Sequence, residues 1–268
     1  MKTHTRSIVS RTAALACPAL LVVALCAGCA QPGSGTVAQA VGPAPAAATA
    51  AAPTAAAHLA GGVPSGGASA PVPAALPPGI GATLGHRVPA DTNQILLVTG
   101  QGVNSPDSSA VLYERTDGVW QAHGSWATHN ALHGWTEDHH DSDLRSPIGV
   151  FALTDAGGLR PDPGSKLPYH HSSGFVVTGT GFRGEPLAGA FNYVIAINYN
   201  REPGTSPLDP TRPEGYAKGG GIWLHVDHHG PTHGCVSLPS AAMVALLRTL
   251  DPAQHPVVVM GDRAALSA

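Results

Sequence analysis

The stretch Ile222–Leu238 reads I-W-L-H-V-D-H-H-G-P-T-H-G-C-V-S-L. Ile222–Val226 is a short apolar run with the length and composition of a strand, and it carries His225 near its end. Gly230-Pro231 then turns the chain. Thr232-His233-Gly234-Cys235 follows, so one strand-and-loop unit holds a thiol and two candidate bases, His225 and His233. A free thiol with a pKa of about 8.5 is only slightly ionised at neutral pH, so it needs a base or a positive environment to act as a nucleophile. The ten-residue separation lets His225 and Cys235 face each other across adjacent strands, or across a strand and a loop. Gly234, without a Cβ, leaves the backbone N–H groups around Cys235 open to a substrate carbonyl, an arrangement suited to an oxyanion hole.

Outward from this segment, the cysteine count supports a special role for Cys235. The chain has 268 residues and four cysteines, Cys17, Cys26, Cys29 and Cys235. Met1–Arg11 carries Lys2, Arg6 and Arg11, and Thr12–Gly28 is a short run of apolar and small residues. That order is a secretory signal, with an apolar stretch too short for an ordinary membrane span. The segment 1–29 ends in Leu25-Cys26-Ala27-Gly28-Cys29, which resembles a lipobox and implies a lipid anchor on Cys29. With Cys17 and Cys26 removed and Cys29 acylated, Cys235 has no disulfide partner in an exported protein. The expected location is therefore the outer face of the cytoplasmic membrane, facing the cell wall.

Residues 30–87 are rich in Ala, Pro and Gly, hold no lasting hydrophobic period, and read as a disordered tether. The folded domain is expected over 88–268. Strands are expected at Gln94–Thr99, Ser109–Thr116, Val119–His123, Ser146–Leu153, Phe175–Thr178, Asn192–Asn198, Ile222–Val226 and Pro256–Met260. Asp117-Gly118 marks a hairpin. Pro239–Leu250 has helical spacing, with Ala242, Leu246, Leu247 and Leu250 on one face. The expected class is mainly β, with one helix following Cys235. The net charge of −3 and the absence of a basic patch exclude the electrostatics of a nucleic-acid binder.

The signature I-W-L-H…T-H-G-C-V-S-L resembles the catalytic motif of the YkuD family of L,D-transpeptidases. R-S-P-I-G-V-F-A-L resembles that family's T-P-x-G-x-F segment. Leu167-Pro168-Tyr169, Y-V-I-A-I-N-Y-N and V-V-V-M-G follow in the expected order, so the resemblance spans roughly Gln94 to Asp262. It implies a YkuD-like β-sandwich or mixed sheet and a monomer that acts on peptidoglycan stem peptides without a cofactor. Cys235 is then the nucleophile and His225 the general base, with His233 and Gly234 shaping the site. Two positions depart from the family pattern. Ser237 stands where many members have Arg, and Val226 where many have Gly. Arg183, Arg201 and Lys218 are the candidates for the missing positive charge at the donor carboxylate.

Two other readings use the same residues. Water in place of an amine acceptor gives an L,D-carboxypeptidase or another cysteine amidohydrolase. The fifteen His, among them His139-His140-Asp141, His170-His171 and His228-His229, suggest a non-catalytic metal-binding lipoprotein. Against that reading, the chain has no H-E-x-x-H and no Cys/His set at zinc-site spacing.

Overall fold

The computed structural model describes residues 75–268. The signal segment, Cys29 and the tether up to residue 74 lie outside the described residues. Eleven strands follow in chain order: β1 (Gln94–Gly100), β2 (Asp107–Thr116), β3 (Val119–His129), β4 (Trp135–Thr136), β5 (Ser146–Pro147), β6 (Gly149–Gly158), β7 (Tyr169–His171), β8 (Val194–Ile197), β9 (Trp223–Val226), β10 (Val236–Leu238) and β11 (Val257–Asp262). The α-helices are α1 (Ala82–Gly85), α2 (Ser240–Thr249) and α3 (Arg263–Ser267). The protein is mainly β, as the sequence pattern predicts.

Nine strands form one mixed sheet in the order β11-β1-β2-β3-β10-β9-β8-β6-β7. β11 also pairs with β6, in antiparallel register from Val257↔Ala152 to Met260↔Gly149. The sheet therefore closes on itself, which removes the open edges a flat sheet would leave. β7 extends from β6 outside the ring.

The hydrophobic pattern explains which strands lie at the centre. In β1, Leu96 and Val98 point into the main core, while Ile95 and Leu97 join a second cluster with Leu84 of α1 and Leu266 of α3. β11 divides in the same way, Val258 and Met260 to one side and Val257 and Val259 to the other. Burial on both faces is why these strands read as unbroken apolar runs rather than alternating ones. The β2–β3 hairpin turns at Asp117-Gly118, both with positive φ (52° and 80°), the conformation that favours Asp-Gly between strands.

The helix after Cys235 forms as expected. Its buried face comprises Ala242, Met243, Leu246 and Leu247, and Leu250 is buried at its C-cap. Two local expectations differ. Phe175–Thr178 is not a strand: Ser173–Phe175 is a single 3-10 turn capped by the Ser172 hydroxyl, with Phe175 buried and Val176 exposed. The packed structure also begins ahead of Val88, because Leu76, Ile80 and Leu84 pack onto the second cluster and the Gly81 N–H donates to the Leu266 carbonyl at 2.7 Å. Sparse apolar residues in an Ala/Pro/Gly-rich segment carry no period, but these three join Leu266 and others in covering one face of β1 and β11.

Candidate active site

β9 and β10 run side by side in parallel, with Leu224 opposite Val236 and His225 opposite Ser237. Side chains alternate across a sheet. Leu224, Val236 and Leu238 enter the main core beneath α2. Trp223, His225, Cys235 and Ser237 therefore share the other face, with Cys235 beside Trp223 and diagonal to His225. The Trp223 N–H donates to the Cys235 Sγ at 3.3 Å, and the thiol donates to the Gly221 carbonyl at 3.6 Å. The Thr232 hydroxyl donates to the Cys235 carbonyl at 2.6 Å and closes the T-H-G-C loop. The Thr232 N–H donates to the Asn130 carbonyl and ties this loop to the end of β3.

Cys235 and His225 line one cavity of about 160 Å³, walled by Leu187, Ala190 and Phe191. His225 Nδ1 lies 2.9 Å from the Val226 carbonyl, so Nδ1–H is the donor and Nε2 keeps its lone pair. Phe191 meets the ring edge-on at 5.3 Å, and His228 stacks parallel to it at 5.7 Å. Burial pushes the Cys235 thiol up to about 11 and the His225 imidazole down to about 4. At neutral pH the resting pair is therefore a neutral thiol and a neutral imidazole. In this state the thiol bonds to Gly221 rather than to His225, and a preformed thiolate–imidazolium pair is not the ground state. A neutral thiol becomes nucleophilic only as its proton leaves, and the His225 tautomer leaves Nε2 with a lone pair able to accept one.

His233 and Gly234 sit beside the thiol in different ways. His233 is exposed, and its ring lies 4.7 Å from Phe182. Gly234 is buried, and a Cβ there would come 2.8 Å from Ile222 Cδ1, so Ile222 fills the space the missing side chain leaves. The N–H groups of Gly234 and Cys235 have no hydrogen-bond partner among the described residues, which suits the oxyanion role. A small hairpin bridged at Thr180 and Pro186 reaches over this side. Its Glu185 places Oε1 3.2 Å from His228 Nδ1, and both side chains are buried. Burial opposes ionisation of Glu185, but the backbone N–H groups of Glu185 and Arg183, together with His228, outweigh it and hold the carboxyl below its usual value.

Of the three candidate cations, Arg201 is committed elsewhere. Its guanidinium is buried and bonds Asp155 at 2.7 Å, Asn198 at 2.7 Å and the Thr205 carbonyl at 2.8 Å, so the expectation that it serves the donor carboxylate is corrected. Lys218 pairs with Glu214 at 3.1 Å. Arg183 stands exposed at the hairpin tip, and its side chain makes no ion pair among the described residues. Ser237 is fully buried and donates to Asp227 at 2.7 Å, and His129 Nδ1 donates to the same carboxylate oxygen at 2.8 Å. The hydrogen bond to Asp227 raises the His129 imidazole above its ordinary value. Burial resists ionisation of Asp227, but His129 and Ser237 overcome it and hold the carboxyl well below the usual carboxylate range.

Asp227 and His129 were not singled out by the motif, nor was His139, which lines a second cavity next to Cys235. Asp227 lies within the Ile222–Leu238 stretch and His129 ends β3, whereas His139 comes from the polar loop between β4 and β5. Among the described residues no three His, Cys, Asp or Glu side chains converge as a metal-ligand group.

The closed mixed sheet thus presents a half-buried Cys235 beside a backbone-oriented His225. The chain belongs to the YkuD family: the family profile, described as the L,D-transpeptidase catalytic domain, matches residues 103–259, more than half of the 268-residue chain. No curated protein sequence matches it. Among solved structures, the helical cell shape determining protein Pgp2 from Campylobacter jejuni is similar at 16% identity and a TM-score of 0.35, over 63% of this chain and 47% of its own. Bd1075 from Bdellovibrio bacteriovorus is similar at 14% identity and a TM-score of 0.34, over 63% and 48%. The chain spans about half the length of these two proteins.

Proposed function

We propose that this chain is a cysteine-dependent L,D-transpeptidase acting on peptidoglycan stem peptides. The Cys235 sulfur attacks the carbonyl at the L-centre of the third residue of a tetrapeptide donor, while His225 Nε2 takes the thiol proton. The C–N bond to the terminal D-Ala breaks, and that proton passes to the leaving amine. An amine acceptor then resolves the thioester, forming a 3-3 cross-link or attaching another amine. Membership of the YkuD family supports the reaction class. The observation that carries the residue roles is the shared cavity of Cys235 and His225, with Nδ1 held by the Val226 carbonyl. The site would act from a lipid anchor on Cys29 at the outer face of the cytoplasmic membrane, as a monomer.

The test is mass spectrometry of the protein incubated with meropenem, a β-lactam that acylates a reactive thiol. A covalent adduct on Cys235, absent in Cys235→Ser, is expected. No adduct, together with no product from a disaccharide-tetrapeptide, would refute the reading. Globomycin treatment of producing cells tests the anchor, and unchanged precursor processing would exclude it.

A further inference from the structure

Cys235 lies between two cavities. The first holds His225. The second, of about 180 Å³, is lined by His139, Gly221, Ile222, His233 and Gly234 together with Cys235. We propose that His139, oriented by Asp143, is a second catalytic imidazole, the base that deprotonates the acceptor when the acyl-enzyme is resolved. This rests on the transpeptidase reading above and assigns a residue to its second half-reaction.

The geometry begins in the loop between β4 and β5. His139 is 5% exposed, although it belongs to a polar surface segment. Its Nδ1 lies 3.0 Å from Asp143 Oδ1. The carboxylate is itself fixed, since Oδ1 accepts from the Arg145 N–H at 2.8 Å and Oδ2 from the His140 N–H at 2.9 Å. Two residues flanking Asp143 have left-handed backbones, Ser142 at φ 65° and Leu144 at φ 57°. Leucine gains nothing locally from that conformation, and such strain persists where the surrounding structure holds it in place. The strained turn serves to bring Asp143 under the imidazole.

With Nδ1 beside Asp143, Cε1 is the ring atom nearest Gly234 of the thiol loop and Nε2 the one nearest Gly219. A Cβ on Gly234 would lie 3.6 Å from His139 Cε1, and one on Gly219 would lie 2.9 Å from Nε2. Nε2 accepts no hydrogen bond among the described residues, and the His139 side chain lines the same cavity as Cys235. Tyr199 meets the ring edge-on at 5.2 Å and donates to the His139 carbonyl at 3.0 Å, which fixes the ring plane. Burial lowers the imidazole and the Asp143 carboxylate partly restores it, so His139 is neutral and able to accept a proton at neutral pH.

The step balances without a further reactant. After acylation His225 has passed its proton to the departing D-Ala and is neutral. A primary amine enters from the His139 side and attacks the thioester carbonyl. The C–N bond forms, and one amine proton moves to His139 Nε2. The C–S bond then breaks, and the proton returns to the Cys235 sulfur. An imidazole on each side of one sulfur gives each half-reaction its own base.

The experiment follows one turnover of the full chain on a disaccharide-tetrapeptide, which serves as both donor and acceptor. Intact-mass spectrometry reads the acyl-enzyme, and chromatography reads D-Ala and cross-linked dimer. For His139→Gln we expect acylation within about threefold of wild type, accumulation of the acyl-enzyme, and dimer formation slowed on the order of 100-fold or more. Asp143→Asn should show the same split at smaller size, and it decides the matter if His139→Gln does not fold. An equal fall in acylation and transfer, or no change in either, overturns the proposal. Failure of the wild-type chain to form any acyl-enzyme would instead refute the transpeptidase reading itself.

Discussion

His225 should make this protein acid-sensitive in a defined window. The imidazole is 3% exposed and lies at about 4, against an ordinary value of 6.5. The folded state therefore binds fewer protons than the unfolded chain between those values. The associated stability is complete above pH 6.5 and is lost as pH falls toward 4. At about 1.4 kcal/mol per unit, a gap of about 2.5 units is worth roughly 3 kcal/mol in full, with about 2 kcal/mol already lost at pH 5. The assay is urea unfolding of wild type and His225→Gln at intervals from pH 7.5 to 4.5. Gln keeps an N–H for the Val226 carbonyl but has no charge to gain. His129 is raised by Asp227 and carries the opposite sign, giving stability below pH 6.5 that is lost as pH rises, but it is present in both proteins and cancels in the difference. Wild type should lose roughly 2 kcal/mol more than His225→Gln between pH 7.5 and 5. Parallel stability curves would refute the reasoning, as would a His225 ring proton whose NMR shift titrates near 6.5.

The same variant should still fold but acylate roughly 100- to 10,000-fold more slowly with a tetrapeptide donor, measured by D-Ala release. A rate near wild type would move the base role off His225. Arg201→Met should cost about 3–5 kcal/mol in urea unfolding, because Asp155 is left buried without its partner, whereas a loss under about 1 kcal/mol would show that water reaches that site. Leu246→Ala removes a fully buried side chain of α2 from beneath β9 and β10, so a loss of about 2–5 kcal/mol is expected from its thermal transition. Gly118→Val, at φ 80° in the β2–β3 turn, meets no neighbouring atom but does meet backbone strain; a loss of about 1–2 kcal/mol is expected, and a neutral result would mean the turn changes type.

What could be read beforehand was what local pattern encodes. The unbroken apolar runs of β1 and β11, the Asp-Gly turn and the spacing in α2 each carry their own signal, and each element forms where its signal lies. Phe175 misled because a strand-like run of four residues is short enough for one capped turn to override, with the aromatic ring buried and Val176 left in solvent. Closure of the sheet through β6 and β11 leaves no local trace, since strand pairing over a hundred residues apart depends on the whole packing. At the site, Cys235 and His225 were legible because they share one strand-and-loop segment. His139, Asp143 and His129 were not, because long-range folding brings the first two in from a polar loop whose composition suits any surface and the third from the end of β3. Only the i, i+4 spacing of His139 and Asp143 hinted at a pair.

The departure at Ser237 has a physical sense that the motif alone obscures. Ser237 has no exposed surface, and its hydroxyl is spent on Asp227, so this position does not reach a substrate carboxylate. The register places His129 of β3 directly opposite Ser237, and the imidazole bonds the same Asp227 oxygen. β3 and β10 meet at this one pair, so the small side chain at 237 leaves room for an imidazole from the neighbouring strand at the narrowest join of the ring. An imidazole that Asp227 holds above its ordinary value thus stands beside the family's usual Arg position, but it belongs to the scaffold. Arg183 stands exposed at the tip of the hairpin that packs Phe182 on His233, and it is close enough to His129 to oppose its charge.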